Sequence, residues 1–133
     1  MEEMENDVCI DTNLLADFLR EKEYAIEWFR DNQHKNLAAS SVTLFELYFG
    51  AWKHYNDKNE LQSINGLKNN LSILHFDDGA AMIAGEQLAK LESEGNVIEL
   101  EDLFIGSIAL AHGFALKTNN KKHFERIKGL KII

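Results

Sequence analysis

Short apolar runs, each giving way at once to a helical pattern, constrain this chain more than any other feature. Val8-Cys9-Ile10 runs straight into Leu14, Leu15, Phe18 and Leu19 at helical spacing. An unbroken Val/Cys/Ile run suits a strand buried on both faces, as in a parallel sheet. The same reading predicts strands over 7–11, 37–40, 72–76, 114–117 and 130–133. It predicts helices over 13–20 and about 22–33, from 41 to about Tyr55, and over 58–70. A further helix runs from a cap at Asp77 or Asp78 to Gly95, then come 103–112 and a short piece at 121–126. Strands alternating with helices imply an α/β fold with a parallel sheet and right-handed crossovers. In such folds sites form outside the carboxyl ends of the strands.

A length of 133 residues suits one domain, spanning 1–133, with a real core. The absence of proline fits a helical chain without Pro-rich linkers. Cys9 is the only cysteine, which excludes an intramolecular disulfide and a zinc site built on several thiolates. No apolar run reaches the roughly 18 residues of a spanning helix, so no membrane role is expected. The acidic start Met1-Glu2-Glu3 is the opposite of a signal peptide, which points to the cytoplasm. A net charge of −8 argues against generic nucleic-acid coating. From Phe114 onward, however, six basic residues (Lys117, Lys121, Lys122, Arg126, Lys128, Lys131) face one acid, Glu125. That strip suits a polyanion gripped by its phosphates, or is simply a solvated face.

Three acids occupy polar positions beside apolar helical patterns. Asp11 stands at the tip of the first strand, where it could cap a helix, as Asn13 could equally. Glu46 lies three residues after Thr43, the spacing of a capping box, yet sits among Leu44, Phe45, Leu47, Tyr48 and Phe49, where a charge needs a partner. Asp102 heads the apolar helix Leu103–His112, where an acid also favours the helix dipole. Glu99 and Glu101, close by, read as solvent-facing. Brought together, Asp11, Glu46 and Asp102 would make a metal-dependent phosphodiesterase, because Mg²⁺ and Mn²⁺ are hard cations that take oxygen ligands.

These residues stand inside longer blocks: Asp11-Thr12-Asn13 after a strand, Ser40 through Ala51, Asp102-Leu103-Phe104-Ile105-Gly106 with Ala109, and Leu116 through Phe124 followed by Gly129-Leu130. In that order the chain resembles, over nearly its whole length, the PIN-domain ribonucleases, specifically the VapC toxins of toxin–antitoxin pairs. The resemblance implies a three-layer α/β/α domain with a short, mostly parallel central sheet. It implies Mg²⁺-dependent endoribonuclease activity on RNA, with Mn²⁺ as a substitute, control by a VapB-like antitoxin, and a homodimer. It maps Asp11, Glu46 and Asp102 onto the metal-binding and catalytic acids, and Thr118 onto a hydroxyl that bonds them. Asn13 and Asn120 follow as supporting residues. Lys121, Lys122 and His123 follow as phosphate contacts. Many relatives carry a fourth acid where this chain has Asn120 or His123. An amide or an imidazole there implies one well-bound Mg²⁺, with a second joining only alongside substrate.

Other residues carry less. Cys9 in a buried strand reads as a small hydrophobe. His34, His54, His75, His112 and His123 lack zinc-type spacing. Gly106 belongs to no phosphate loop. Trp28, Phe29, Phe45, Tyr48, Phe49 and Trp52 read as core, or as an apolar groove for an antitoxin helix. Two alternative functions stand beside the nuclease. One is a catalytically degenerate PIN fold that only binds protein or RNA. The other is an aspartyl phosphoryl-transfer domain, which would need an acid where Asn13 stands, or an acidic pair before the phosphorylated Asp, for which no position is assigned.

Overall fold

A computed structural model describes residues 6–54 and 58–133. The chain runs β1 (Asp7–Ile10), α1 (Thr12–Leu19), α2 (Glu23–Asp31), β2 (Asn36–Ser40), α3 (Ser41–Lys53) and α4 (Lys58–Lys68). It continues through β3 (Ser72–Leu74), α5 (Asp78–Ser93), α6 (Leu100–Ala111), β4 (Ala115–Lys117) and α7 (Lys121–Phe124). The strands form a parallel sheet in the order β3-β2-β1-β4. Val8 pairs with Leu37 on one side and Ala115 on the other, so β1 is central.

The period-2 pleat of β1 divides the core. Val8 and Ile10 pack with Leu14, Leu15, Ala25, Leu47, Ile64 and Leu67, which come from α1 through α4. Cys9 packs on the opposite face with Ile105, Ile108, Phe124 and Ile127, beside α5, α6 and α7. Two helical layers around a doubly buried sheet give the α/β/α sandwich, and explain why the strands carry unbroken apolar runs. Burying both faces of Val8, Cys9 and Ile10 removes them fully from water.

The element ends have local causes. Asp77 is the cap of α5, with its side chain accepting from Ala80 N–H at 3.0 Å. Gly95 and Gly113, at φ 73° and 74°, take the left-handed conformation that closes α5 and α6. Strand β3 stops at Leu74 rather than Phe76, because its partner Ser40 ends β2 and α3 starts there. Helix α6 starts at Leu100 rather than Leu103; Leu100 and Glu101 are exposed, so no apolar periodicity marks that first turn. The strand expected over 130–133 is a single parallel bridge, Leu116 with Ile132. Helix α3 is described to Lys53, and Tyr55 lies outside the described residues.

Candidate active site

The chain steps from β1 to β2 to β3 in one direction and then places β4 on the other side of β1. The switch point therefore lies between β1 and β4, where an open parallel sheet leaves a crevice at its carboxyl edge. Asp11 follows β1 at that point. Its backbone N–H donates to the Lys117 carbonyl at 2.9 Å, prolonging the β1–β4 pairing by one residue. Thr118 follows β4, and its hydroxyl donates to Asp11 Oδ2 at 2.8 Å. Thr12 N–H donates to Asp11 Oδ1 at 2.8 Å. Asp11 holds the cap position of α1, but its carboxylate binds the first helical N–H only and turns its other oxygen to Thr118. Asn13 is not an alternative cap: it lies inside α1 and is exposed.

Glu46 is not in a capping box. The cap of α3 is Ser40, whose Oγ accepts from Thr43 N–H at 3.0 Å, so Glu46 falls in the helix's second turn. There its Oε1 accepts from the Thr12 hydroxyl at 2.6 Å. Thr12 thus touches both acids, Asp11 through its N–H and Glu46 through its hydroxyl. Sequence patterning alone assigns Thr12 no role. The signal for it is Ser40, Thr43 and Glu46, which share one helical stripe at steps of three opposite Thr12.

Asp102 is in the first turn of α6. Its Oδ2 lies 3.2 Å from His123 Nδ1, with the imidazole largely exposed. His123 therefore meets an acid of the cluster. Lys121 and Lys122 are exposed on α7, and Asn120 precedes it, half-buried, with its N–H donated to Thr118 Oγ1 at 2.9 Å. Lys117 through His123 line one open depression beside the acids.

The acids work against one another. Burial pushes the Asp11 carboxyl up, and the bonds from Thr118 and Thr12 only partly offset this. Burial raises Glu46, and the charges of Asp11, Asp102 and Glu101 raise it further. Burial raises Asp102, Asp11 adds to the rise, and His123 opposes it. Cys9 is driven by burial, then by Asp11, up to about 12, which makes it an inert thiol. Lys117 is lowered by burial and by Lys121.

An oxygen-only donor set whose carboxyls are raised by burial, with Asp11 raising Glu46 and Asp102 further, fits a hard divalent ion. Among the described residues no three of His, Cys, Asp and Glu are gathered into a ready-made cage. Each acid is instead engaged by a protein donor or imidazole: Asp11 by Thr12 and Thr118, Glu46 by Thr12, Asp102 by His123.

A second concavity adjoins the cluster between α1, α3 and α4. Leu19, Phe45 and Phe49 line it, and Thr12, Glu46 and Glu101 form its acidic end. Phe45, Phe49 and Trp52 are more than half exposed, so this part of α3 is surface rather than core, while Trp28, Phe29 and Tyr48 are partly buried. No helix among the described residues is long and apolar enough to cross a membrane.

The chain matches the PIN domain over residues 8–130. It is 34% identical over 123 residues to the tRNA(fMet)-specific endonuclease VapC of Shigella flexneri, spanning 92% of each chain. It is 33% identical over 124 residues to the protein of the same name from Salmonella typhimurium, spanning 92% of this chain and 93% of that one. Its fold superposes on the DNA-bound VapBC crystal structure from Salmonella typhimurium with a TM-score of 0.87, at 31% identity and over 96% of each chain.

Proposed function

The chain belongs to the PIN-domain family, and from that premise we propose that it is the endoribonuclease toxin of a toxin–antitoxin pair, cutting RNA at its acidic cluster. The observation that carries this is that Asp11, at the β1–β4 switch point, shares Thr12 with Glu46, while its charge raises the carboxyls of both Glu46 and Asp102. Asp11 and Asp102, with Glu46, would hold Mg²⁺, or Mn²⁺ in its place. Such an ion supplies an activated water and neutralises charge on the phosphodiester. The chain's own residues do the rest. Thr118 and Thr12 fix the Asp11 carboxylate, and His123 orients Asp102. Lys121 and Lys122 grip the flanking phosphates, giving affinity without reading sequence. Asn120 and His123 stand where a fourth acid would be, so the acids would hold one ion tightly and a second only alongside RNA. Asn13, exposed in the first turn of α1, is the remaining supporting residue.

The partner is a VapB-like antitoxin. An apolar helix fits the concavity along Leu19, Phe45 and Phe49, and a basic side chain on it would meet Glu46 and Glu101 at the acidic end. The toxin acts as a homodimer in the cytoplasm, where its RNA is. A degenerate, binding-only domain is the second reading, favoured by the missing fourth carboxylate. Aspartyl phosphoryl transfer finds no second acid near Asp11 at position 13, which is an exposed asparagine.

The test is RNA cleavage by purified protein. Mg²⁺ or Mn²⁺ supports it, EDTA stops it, and Asp11→Asn abolishes it. Cleavage that survives in Asp11→Asn refutes the mechanism. Absence of metal binding at millimolar concentration, with tight antitoxin binding, establishes the binding-only reading.

A further inference from the structure

We propose that Thr12 is a positioning residue for Glu46, the last link of a hydroxyl chain that begins at buried Ser40; this rests on the metal-site reading above. Ser40 Oγ lies 3.2 Å from Thr43 Oγ1, Thr43 Oγ1 lies 3.0 Å from Thr12 Oγ1, and Thr12 Oγ1 lies 2.6 Å from Glu46 Oε1. Each hydroxyl has one proton to give. An ionised carboxylate can only accept, and the contact to Glu46 is the shortest of the three, so Thr12 gives its proton there. Thr43 then gives its proton to Thr12, and Ser40 gives its own to Thr43. Ser40 Oγ in turn accepts from Thr43 N–H at 3.0 Å. Every donor is used once and the chain ends on the carboxylate.

Ser40 and Thr43 are fully buried, so this order is fixed away from competing water. Glu46 is a long side chain on α3, and among the described residues Thr12 is the donor that holds its carboxylate. Because the same residue also holds Asp11 by its backbone N–H, Thr12 sets the spacing between two acids carried on different elements. Removing its hydroxyl frees Glu46 while leaving the Asp11 bond in place.

Mn²⁺ binding to the RNA-free protein, followed by titration calorimetry, is the test. Thr12→Val weakens Mn²⁺ binding about tenfold or more, as loss of a hydrogen bond to a charged group implies. Thr12→Ser, which restores the hydroxyl, binds like wild type. In a Glu46→Gln background Thr12→Val has little further effect, because its action passes through Glu46. Thr43→Val, which cuts the chain one link back without touching α1, weakens binding by a smaller factor and stands in should Thr12→Val fail to fold. Wild-type affinity in Thr12→Val, no rescue by Thr12→Ser, or additivity with Glu46→Gln overturns the proposal. Wild-type Mn²⁺ binding in Asp11→Asn would instead overturn the metal-site reading itself.

Discussion

Thr118 donates its hydroxyl to Asp11 Oδ2 at 2.8 Å, joining side chains 107 residues apart across the β1–β4 switch point. Both are buried, Asp11 5% and Thr118 1% exposed, so no water stands ready to replace the bond. Thr118→Val keeps the shape and removes the donor. It is expected to cost about 1.5–3 kcal/mol at neutral pH, the usual worth of a hydrogen bond to a charged group. Thr118→Ser should recover most of the loss. Urea denaturation of the three proteins checks this, and a Val variant as stable as wild type would show that the bond is incidental.

The raised carboxyls make stability depend on pH and on metal together. Asp11 and Asp102 sit above their ordinary value of 3.8 when folded, chiefly through burial. Folding therefore favours the protonated acid. The associated stability is fully present below the unfolded value and is lost as pH rises through the folded one. Asp11→Asn should thus be more stable than wild type at pH 7 in EDTA, by a margin that closes near pH 4 and below. The Thr118 hydroxyl can turn to accept from the new amide, so the site is not left unpaired. With Mg²⁺ the order reverses, because only wild type gains binding energy. Thermal melts across pH, with EDTA and then with Mg²⁺, read both effects. A margin that widens toward acid would contradict the assignment.

The sandwich was legible because its signal is the period of apolar residues, and β1, β2, α5 and α6 each carry it over enough positions. Asp11, Glu46 and Asp102 were legible as polar residues beside apolar patterns. What stayed hidden depends on partners far away in the chain. Thr43-x-x-Glu46 has the spacing of a capping box, but the helix begins three residues earlier than such a box requires, with Ser40 at its cap. Which of two hydroxyls caps a helix is decided by where β2 stops pairing, and that is a property of the sheet. The pairing of His123 with Asp102 likewise follows from α7 lying beside the start of α6, which no local pattern announces. The end of the chain, where Leu116 pairs with Ile132 alone, looked like a strand because three apolar residues in four cannot distinguish a bridge from a ladder.

Gly106 lets the segment after α7 lie against α6. A Cβ there would stand 2.3 Å from Ile127 Cδ1 and 3.3 Å from Leu130 Cδ2. Alanine gains about 1 kcal/mol in helix propensity over glycine, but overpacking costs about 1–3 kcal/mol. Ile127 is 2% exposed and has little room to retreat. Gly106→Ala is therefore expected to be destabilised by about 1 kcal/mol. Ile127→Val removes the offending methyl. The double variant should be more stable than the sum of the single effects, a coupling that chemical denaturation can measure. Strict additivity would mean that the close approach is not what the glycine serves.

The sharpest question about the metal lies at His123. Its imidazole meets Asp102 at 3.2 Å from the exposed side of the cluster, and its charge lowers the Asp11 and Asp102 carboxyls when it is protonated. A carboxylate at that position would do the opposite: it would add an oxygen donor and push Asp102 further up. His123→Asp should therefore be less stable than wild type in EDTA, yet take up a second Mn²⁺ without RNA. Calorimetric stoichiometry separates the cases, with one ion expected for wild type, two for His123→Asp and none for Asp11→Asn. Two ions on the RNA-free wild type would show that Asn120, or a donor outside the cluster, already completes the second site. A His123→Asp variant that still takes one would place the limit in the spacing of Asp11, Glu46 and Asp102, because adding the missing charge would then have left the capacity unchanged.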